Sequence, residues 1–564
     1  MSEFKPTGEQ KALINKKESA LIIAGPGTGK TRTAVEKARV EVRSFDENSS
    51  YRVLFLSFSN AAIYRLLSSA NIVFSRHEKH YLKFMTFHSC AADILRNYGR
   101  FVGLPNKIKI MDTLEEKFIA FEKRWTNSDK DYYEKLQTLA KTEGLLAFSV
   151  LVDFAIKLFT FCNNISEIIG RKYKMIIVDE FQDSSEEQWK LLKLLGQNSQ
   201  VIAFGDPNQI IYSSMHSATK RRFEEFKKWK QIEETLFSST NFRCKDDEIL
   251  LFANCLLNAT PYNKVENSNV YLYELNYRSE LRTMLALIWK AIHEQVGANH
   301  TIGILAPTAS IAEGVSVSLR NPPKNAKLQI PIYTRLSKDQ TTQDALFLAL
   351  VAIRDYAVFR DKTTCRKAAM ALLAMDLTWN TRKNISLKKI KIVTNLLEKC
   401  SSTTNTKLYN LINSIRTQPE LDALLPDFVQ ALSEISEFYT TAKKIYSYGN
   451  MSLESINSID SQLSLFDKIR SNRQPKGLEG YAAGVGKTHS LNYHKAKGRE
   501  FDFVIMIVDP RGESVKVTLD EKRRLYYVCS TRAKKWLGVI YYKNQLGPVL
   551  GPVILPTGFS DKKC

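Results

Sequence analysis

Two hydrophobic patterns alternate along this chain. Short apolar runs bounded by glycine or polar residues, "ALIIAG" from Ala20 to Gly25 and "RVLFLSFS" from Arg52 to Ser59, read as buried strands with helical segments between them. That alternation predicts an α/β domain. From Ser89 to Gly170 the pattern becomes helical ("CAADILRNYG", "TLEEKFIAFEKRW", "YYEKLQTLAKTEG"), with almost no strand signal. Strands return in "KMIIVDE" from Lys174 and "SQVIAFGD" from Ser199. The scheme then repeats: "HTIGILAPT" and "VIMIVD" are strand-like, and the stretch between them, about Leu336 to Gln474, is helical. The expected organisation is two α/β cores, 1–88 with 168–237 and 238–335 with 475–564, interrupted by helical insertions at 89–167 and 336–474. A chain of 564 residues is too long for a single core.

The first strand runs into "GPGTGKTRT" (Gly25–Thr33). Gly25, Gly27 and Gly29 let backbone N–H groups converge on phosphate oxygens where a side chain would clash. The helix that follows points its positive dipole end at the same place. Lys30 can bridge β- and γ-phosphates, and the Thr31 hydroxyl can ligate Mg²⁺. The loop pattern tolerates Ala24 at its first position, and Pro26, Thr28 and Arg32 complete the candidate nucleotide-binding stretch. "MIIVDE" is a buried strand ending in paired acids, with Asp179 as the natural metal partner and Glu180 placed to polarise an attacking water. Strand, loop, helix and an acid-ended strand together predict ATP hydrolysis with Mg²⁺. "AAGVGKTHS" (Ala482–Ser490) looks similar, but "RQPKGLEGY" precedes it instead of a strand, and it reads as a surface loop.

Charge adds a partner. The formal net charge of +22 suits a polyanion, most simply nucleic acid. The eight cysteines form no CxxC pair, which argues against zinc ribbons, iron–sulfur clusters and a disulfide framework, and a reducing cytoplasm is the simplest setting. His77 and His80 read as a solvated pair instead of a metal site. The N-terminus "MSEFKPTGEQ" has no signal-peptide core, and the longest apolar stretch, Ala345–Ile353, is too short to span a bilayer.

Further motifs, from the N-terminus to about Lys535, make the chain resemble the superfamily 1 DNA helicases of the UvrD/Rep/PcrA type. "LFLSFSNAA" (Leu54–Ala62) and "MTFHSCAADIL" (Met85–Leu95) are similar to that family's single-strand contact motifs. "VDEFQDSSEEQ", "FGDPNQIIY", "TNFRC", "YHKAKGREFDFVIM" and "EKRRLYYVCSTRAKK" resemble its later motifs, in the family's order. The resemblance implies two RecA-like P-loop domains, each interrupted by a mainly helical insertion. It implies that Gln10 reads adenine, Gln209 senses the γ-phosphate, Glu500 lies at the nucleotide, and Arg243 and Arg532 are arginine fingers. It also implies DNA contacts by Phe58, Asn60, Thr86, Phe87, His88, Tyr212 and His494. Fingers from the second core meeting Lys30 and Asp179 of the first would put the nucleotide in the cleft between them. Closing and opening of that cleft would drive stepping along single-stranded DNA, 3′ to 5′ by resemblance.

The sequence departs from the family after Tyr212. "SSMHSA" stands where members carry "GWRGA", so Ser214 replaces a base-stacking tryptophan and unwinding is put in doubt more than ATP hydrolysis. Asn492 stands where the family has Thr. The compact size and altered motif resemble accessory helicases of bacterial anti-phage systems, such as the Gabija helicase subunit, which works beside a nuclease. A repair helicase is the competing expectation. The alternative class is a regulatory subunit that senses nucleotide and DNA and acts through a partner such as a nuclease.

Overall fold

The computed structural model describes residues 4–111, 116, 119–120, 123, 125, 131–211, 221–237, 241–244, 248–262, 269–297, 299–320, 330, 332–333, 337–379, 387–416, 424–448, 488–509 and 517–542. The strands of the first half are β1 (Ala20–Ile23), β2 (Arg52–Ser57), β3 (Leu82–Thr86), β4 (Lys109–Met111), β5 (Leu145–Ala147), β6 (Tyr173–Asp179), β7 (Gln200–Gly205) and β8 (Glu234–Leu236). Six of them form one parallel sheet in the order β3-β2-β6-β7-β1-β8. Its central strands are buried on both faces. Met175 and Ile177 of β6 join Ile22, Phe55 and Phe204 on one side. Ile176 and Val178 join Leu54, Val201 and Phe154 on the other. A strand covered on both faces has no polar face to alternate with, which is why these segments read as continuous apolar runs.

Phe154 belongs to the helix Phe148–Phe161, so the helices after residue 87 share their core with the sheet. Against expectation, that helical stretch also contains a small parallel pair, β4 with β5. Three-residue strands are too short to show a period of two.

The second half supplies β9 (Val270–Leu275), β10 (Ile302–Ala306), β11 (Ile332–Tyr333), β12 (Thr488–Asn492), β13 (Phe501–Ile507) and β14 (Ala533–Tyr542). They form a second parallel sheet in the order β11-β12-β10-β13-β14-β9. Between β11 and β12 in sequence lie helices from Ser337–Phe359 to Tyr439–Tyr448, built on a separate core that includes Leu350, Leu372, Phe428 and Phe438. Thr488, His489 and Ser490, the end of the "AAGVGKTHS" string, are buried in β12 beside β10 instead of lying in a surface loop. Residues 482–487 lie outside the described residues. Among the described residues no helix is long and apolar enough to cross a membrane.

Because each sheet is parallel, loops of one kind gather along one edge, where ligands of open α/β sheets bind. In the first sheet β7 separates β1 from β6, so the loop after β1, Asp206 after β7 and Asp179 at the end of β6 stand side by side. The ends of β2 and β3 continue that edge, with Ser57 paired to both Asp179 and Thr86.

The shared core generates a stability prediction. Phe154→Ala empties a fully buried site between helix and sheet, and should cost about 3–5 kcal/mol. Chemical denaturation followed by fluorescence and circular dichroism should show the first transition moving to lower denaturant.

Candidate functional site

The phosphate loop is shaped by its glycines. Gly27 and Gly29 adopt φ of 79° and 81°, which a side chain resists. Gly27 also has no room, since a Cβ there would sit 1.9 Å from Asn241 Oδ1 of the second half. The Phe242 N–H donates to the Gly27 carbonyl at 2.8 Å. The "TNFRC" segment therefore lies over the loop. Lys30 folds back onto it, donating to the carbonyls of Ala24 at 2.6 Å and Gly25 at 2.7 Å. Burial lowers its pKa, against the pull of Asp206, Glu180 and Asp179.

Gln10 is 1% exposed and its amide is engaged at both ends. The oxygen accepts from the Thr7 N–H at 3.0 Å in a capping box, and the nitrogen donates to the Thr28 carbonyl at 3.0 Å. Gln10 thus braces the loop through its Thr28 carbonyl. Beside it, Phe242 lies near Gly29 and is 55% exposed, an apolar face at the mouth of the site. Arg32 pairs with Glu36 at 2.8 Å, one turn into the helix Lys30–Val42, and Thr31 stands between Lys30 and Arg32 on its first turn.

Asp179 is 3% exposed, and burial raises its pKa despite Arg65 and Lys30. Glu180 has left-handed backbone, φ 54° and ψ 43°, strain of about 1–3 kcal/mol for a residue with a Cβ. Two partners hold it there. Arg65 lies 3.3 Å from both carboxylates, and the Gln182 amide donates to Glu180 Oε2 at 2.7 Å. Burial opposes the charge on Glu180, yet Lys497, Arg65, Lys30 and Arg532 hold its carboxyl well below the usual range.

Gln182 begins a chain of polar contacts that crosses to the second sheet. Its amide oxygen accepts from the Asp206 N–H at 3.0 Å. Asp206 Oδ2 accepts from the Gln209 amide at 2.8 Å, and Gln209 Oε1 accepts from Arg532 Nη2 at 3.2 Å. Lys497 joins the same span, donating to Asp183 at 2.8 Å and to the Gln209 carbonyl at 2.7 Å.

Arg243 and Arg532 both reach this cleft. Arg243 donates to the Thr531 carbonyl at 2.8 Å and to Glu500 Oε1 at 2.5 Å. Arg532 is buried, and desolvation together with Arg243 lowers its pKa to about 10. Glu500 and Arg532 come together because the next residues, Phe501 and Ala533, are paired at the start of β13 and β14.

The expected DNA contacts fall on the neighbouring edge. Phe58 is half-buried after β2, and Asn60 is exposed at the first position of the helix Asn60–Val73. Thr86 caps the helix Phe87–Tyr98 through the Ser89 N–H at 3.2 Å, and His88 is partly exposed on its first turn. Phe87 is different. It is 1% exposed and packs into the core, so it has no face to offer a base. His494 follows β12 beside the Ile211 backbone, and burial lowers its pKa, with Glu521 opposing. Asn492 caps that turn through the Lys495 N–H at 3.1 Å, work a Thr would also do. Tyr212 and Ser214 lie outside the described residues.

Reading the sequence missed Arg65 and Phe242. Arg65 carried no signal, because its partners lie more than a hundred residues away and meet it only through the pairing of β2 with β6.

Comparison with known proteins agrees with this geometry. A family model described as an AAA domain matches residues 9–215, and one described as a UvrD-like helicase C-terminal domain matches residues 391–544. The chain is 24% identical to a probable DNA helicase II homolog of Mycoplasma capricolum, over 97% of this chain and 86% of that protein. It is 25% identical to DNA helicase II of Haemophilus influenzae, over 93% and 82%. It is 22% identical to the ATP-dependent DNA helicase PcrA of Leuconostoc citreum, over 92% and 79%.

The Arg243–Glu500 pair predicts a pH effect. Burial opposes the Glu500 charge, but Arg243 foremost, with Arg65 and Lys534, holds its pKa at about 2 against the ordinary 4.5. A depressed pKa makes the ionised form stabilising above the unfolded value, and that contribution is lost as pH falls through the folded one. Glu500→Gln should therefore lower stability at neutral pH by about 2 kcal/mol. Thermal melts should show the gap to the unmodified protein closing between about pH 4.5 and about pH 2.

Proposed function

Because the chain belongs to the UvrD/Rep/PcrA-type superfamily 1 DNA helicases, ATP-hydrolysing enzymes, we propose that it is a motor that steps along single-stranded DNA from 3′ to 5′. One observation carries this reading. Groups of the second half converge on the nucleotide edge of the first core: Asn241 and Arg243 lie over Gly27 of the phosphate loop, and Arg532 reaches Gln209 just after β7. A nucleotide there contacts both cores, so its hydrolysis changes how they sit. In the domain division that goes with this, 1–88 with 168–237 and 238–335 with 475–564 are the moving cores, and 89–167 and 336–474 are the helical additions.

The roles follow from placement. Lys30 neutralises the β- and γ-phosphates once its carbonyl partners release it. Gly25 to Gly29 and Thr28 form the cradle, Gln10 and Phe242 border the base, and Glu500 orients Arg243. Arg243 and Arg532 carry charge to the transferring phosphoryl group. Glu180 holds the attacking water, and Gln209 reports the γ-phosphate to the DNA edge. The donor set fits a magnesium ion: a hydroxyl at Thr31 and a buried carboxylate at Asp179, whose partner Arg65 is at 3.3 Å. A bound Mg²⁺ would supply charge neutralisation for the phosphates. DNA is met at Phe58, Asn60, Thr86, His88 and His494.

The pathway is repair or phage defence, with a nuclease as a fitting partner in the second. A regulatory reading, in which nucleotide and DNA are sensed and a partner does the work, is favoured by one observation, the "SSMHSA" segment in place of "GWRGA". ATPase rate with and without single-stranded DNA, then strand displacement on 3′- and 5′-tailed duplexes, separates motor from sensor and gives the direction.

Two outcomes are expected. Lys30→Ala should lower ATP hydrolysis by about 10²–10³-fold, while Glu180→Gln should bind ATP and stall, as read by turnover and nucleotide-binding assays. Affinity for single strands should fall steeply with salt, because lysine and arginine contacts to phosphate release counterions. Titrating a labelled oligonucleotide at increasing salt measures the slope.

A further inference from the structure

We propose that Arg65 is a positioning residue of the nucleotide site: it competes with Mg²⁺ for Asp179 and Glu180, and single-stranded DNA at the start of its helix weakens that competition. The inference rests on the reading of the protein as a single-strand motor.

Two elements bring Arg65 to the acid pair. β2 pairs with β6 so that Ser57 stands opposite Asp179, and the Ser57 hydroxyl donates to the Asp179 carbonyl at 3.4 Å. The chain turns at Ser59, whose hydroxyl caps the helix Asn60–Val73 by accepting from the Ala62 N–H at 3.2 Å. Ala62, Leu66 and Ala70 are buried and set this helix against the sheet. Arg65 then reaches back to the end of β6.

Its grip there is weak by geometry. One nitrogen, Nη2, meets both Asp179 Oδ2 and Glu180 Oε1, at 3.3 Å each. A charge-assisted N–H···O bond is ordinarily about 2.7–2.9 Å, and an arginine that holds a carboxylate firmly uses two nitrogens. The Arg65 Nε is buried with no hydrogen-bond partner among the described residues. Arg65 thus neutralises the pair without binding it tightly. A divalent ion on Asp179 would neutralise the same charge, and two cations so close repel strongly where little water screens them. Lys30 and Lys497 aim their ammonium groups at loop carbonyls and at Asp183, so Arg65 is the cation the metal must move.

The same helix carries the link to DNA. Asn60 is exposed at its first position, and Arg65 follows about 7.5 Å further along the axis. A strand that takes Asn60 pulls on the element that holds Arg65. A contact of 3.3 Å has little slack before it ceases to be a hydrogen bond. Such coupling is reciprocal: the factor by which the strand tightens the metal is the factor by which the metal tightens the strand.

The test uses the full chain loaded with a non-hydrolysable ATP analogue. Mn²⁺ is the metal probe, and free Mn²⁺ is read by electron paramagnetic resonance. In the unmodified protein oligo(dT) should tighten Mn²⁺ binding roughly tenfold, and Mn²⁺ should tighten oligo(dT) binding by the same factor. Arg65→Gln should bind Mn²⁺ roughly tenfold tighter without DNA and show no further change with oligo(dT). Arg65→Lys keeps a cation at the pair and should keep the strand-dependent change. A glutamine variant that keeps it overturns the proposal. So does an unmodified protein whose Mn²⁺ affinity ignores bound oligo(dT), a result that needs no variant to fold and leaves the motor reading intact. An unmodified protein that binds no single strand at all overturns both.

Discussion

Gln209 has an amide for a reason that lies on either side of it. Toward the second sheet it meets Arg532, which can only donate, and toward the first it meets the Asp206 carboxylate, which accepts. Only a side chain with an acceptor at one end and a donor at the other fits both. Gln182 repeats the logic, accepting from the Asp206 N–H and donating to Glu180. The resulting path from Arg532 to Glu180 is buried, directional and broken if either amide becomes a carboxylate. Such paths are costly when half satisfied, which makes this one a constraint on how the two sheets sit.

The strained backbone of Glu180 belongs to the same constraint. A left-handed turn directly after β6 keeps Glu180 beside Asp179, where Arg65 touches both carboxylates. Asn60, at the exposed start of the helix Asn60–Val73, and Arg65, on the next turns, are part of one rigid element. The proposed DNA edge and the acidic pair are thus connected through a single helix, while Lys497 ties Asp183 to the chain after β12. Two short rigid links, one in each half, run between the proposed DNA face and the site of hydrolysis.

What could be read from the sequence was whatever is local. The loop from Gly25 to Thr31 and the acids ending β6 carry their chemistry within a few residues, and β1, β2, β6, β7, β10 and β13 announce themselves as apolar runs. β12 did not, because Thr488, His489 and Ser490 are polar. They are nonetheless buried, with the Ser490 hydroxyl donating to the Ala312 carbonyl and the Thr488 hydroxyl accepting from Trp289 Nε1. Polar side chains buried against partners far away in sequence leave no hydrophobic period to detect. Phe87 failed in the opposite sense: its motif suggested a surface contact, while its place at the start of an amphipathic helix turned it into the core. Arg65 owes its position to the pairing of β2 with β6, which no local pattern encodes.

Among the described residues, the cations named in the cleft all have partners. Lys30 is held by loop carbonyls, Arg65 by Asp179 and Glu180, Arg243 by Glu500, Arg532 by Gln209 and Lys497 by Asp183. A triphosphate entering this site must compete for groups that already have partners, and each contact it wins loosens one on the protein. Lys30 and Arg65 have their partners within the first sheet's own edge, so their exchange is local. Arg243 sits against Glu500 and Thr531, within the second half, so turning it toward a phosphate draws on contacts of that half alone. Arg532 and Lys497 differ, because their partners are across the cleft. Exchange at those two groups trades a direct bond between the cores for one made through the nucleotide, and loss of the γ-phosphate reverses the trade. In the proposed motor the coupling of hydrolysis to movement therefore depends most on the cations that bridge the cores before any nucleotide arrives: Arg532, Lys497 and also Arg524, which donates to the Ile210 carbonyl at 2.7 Å.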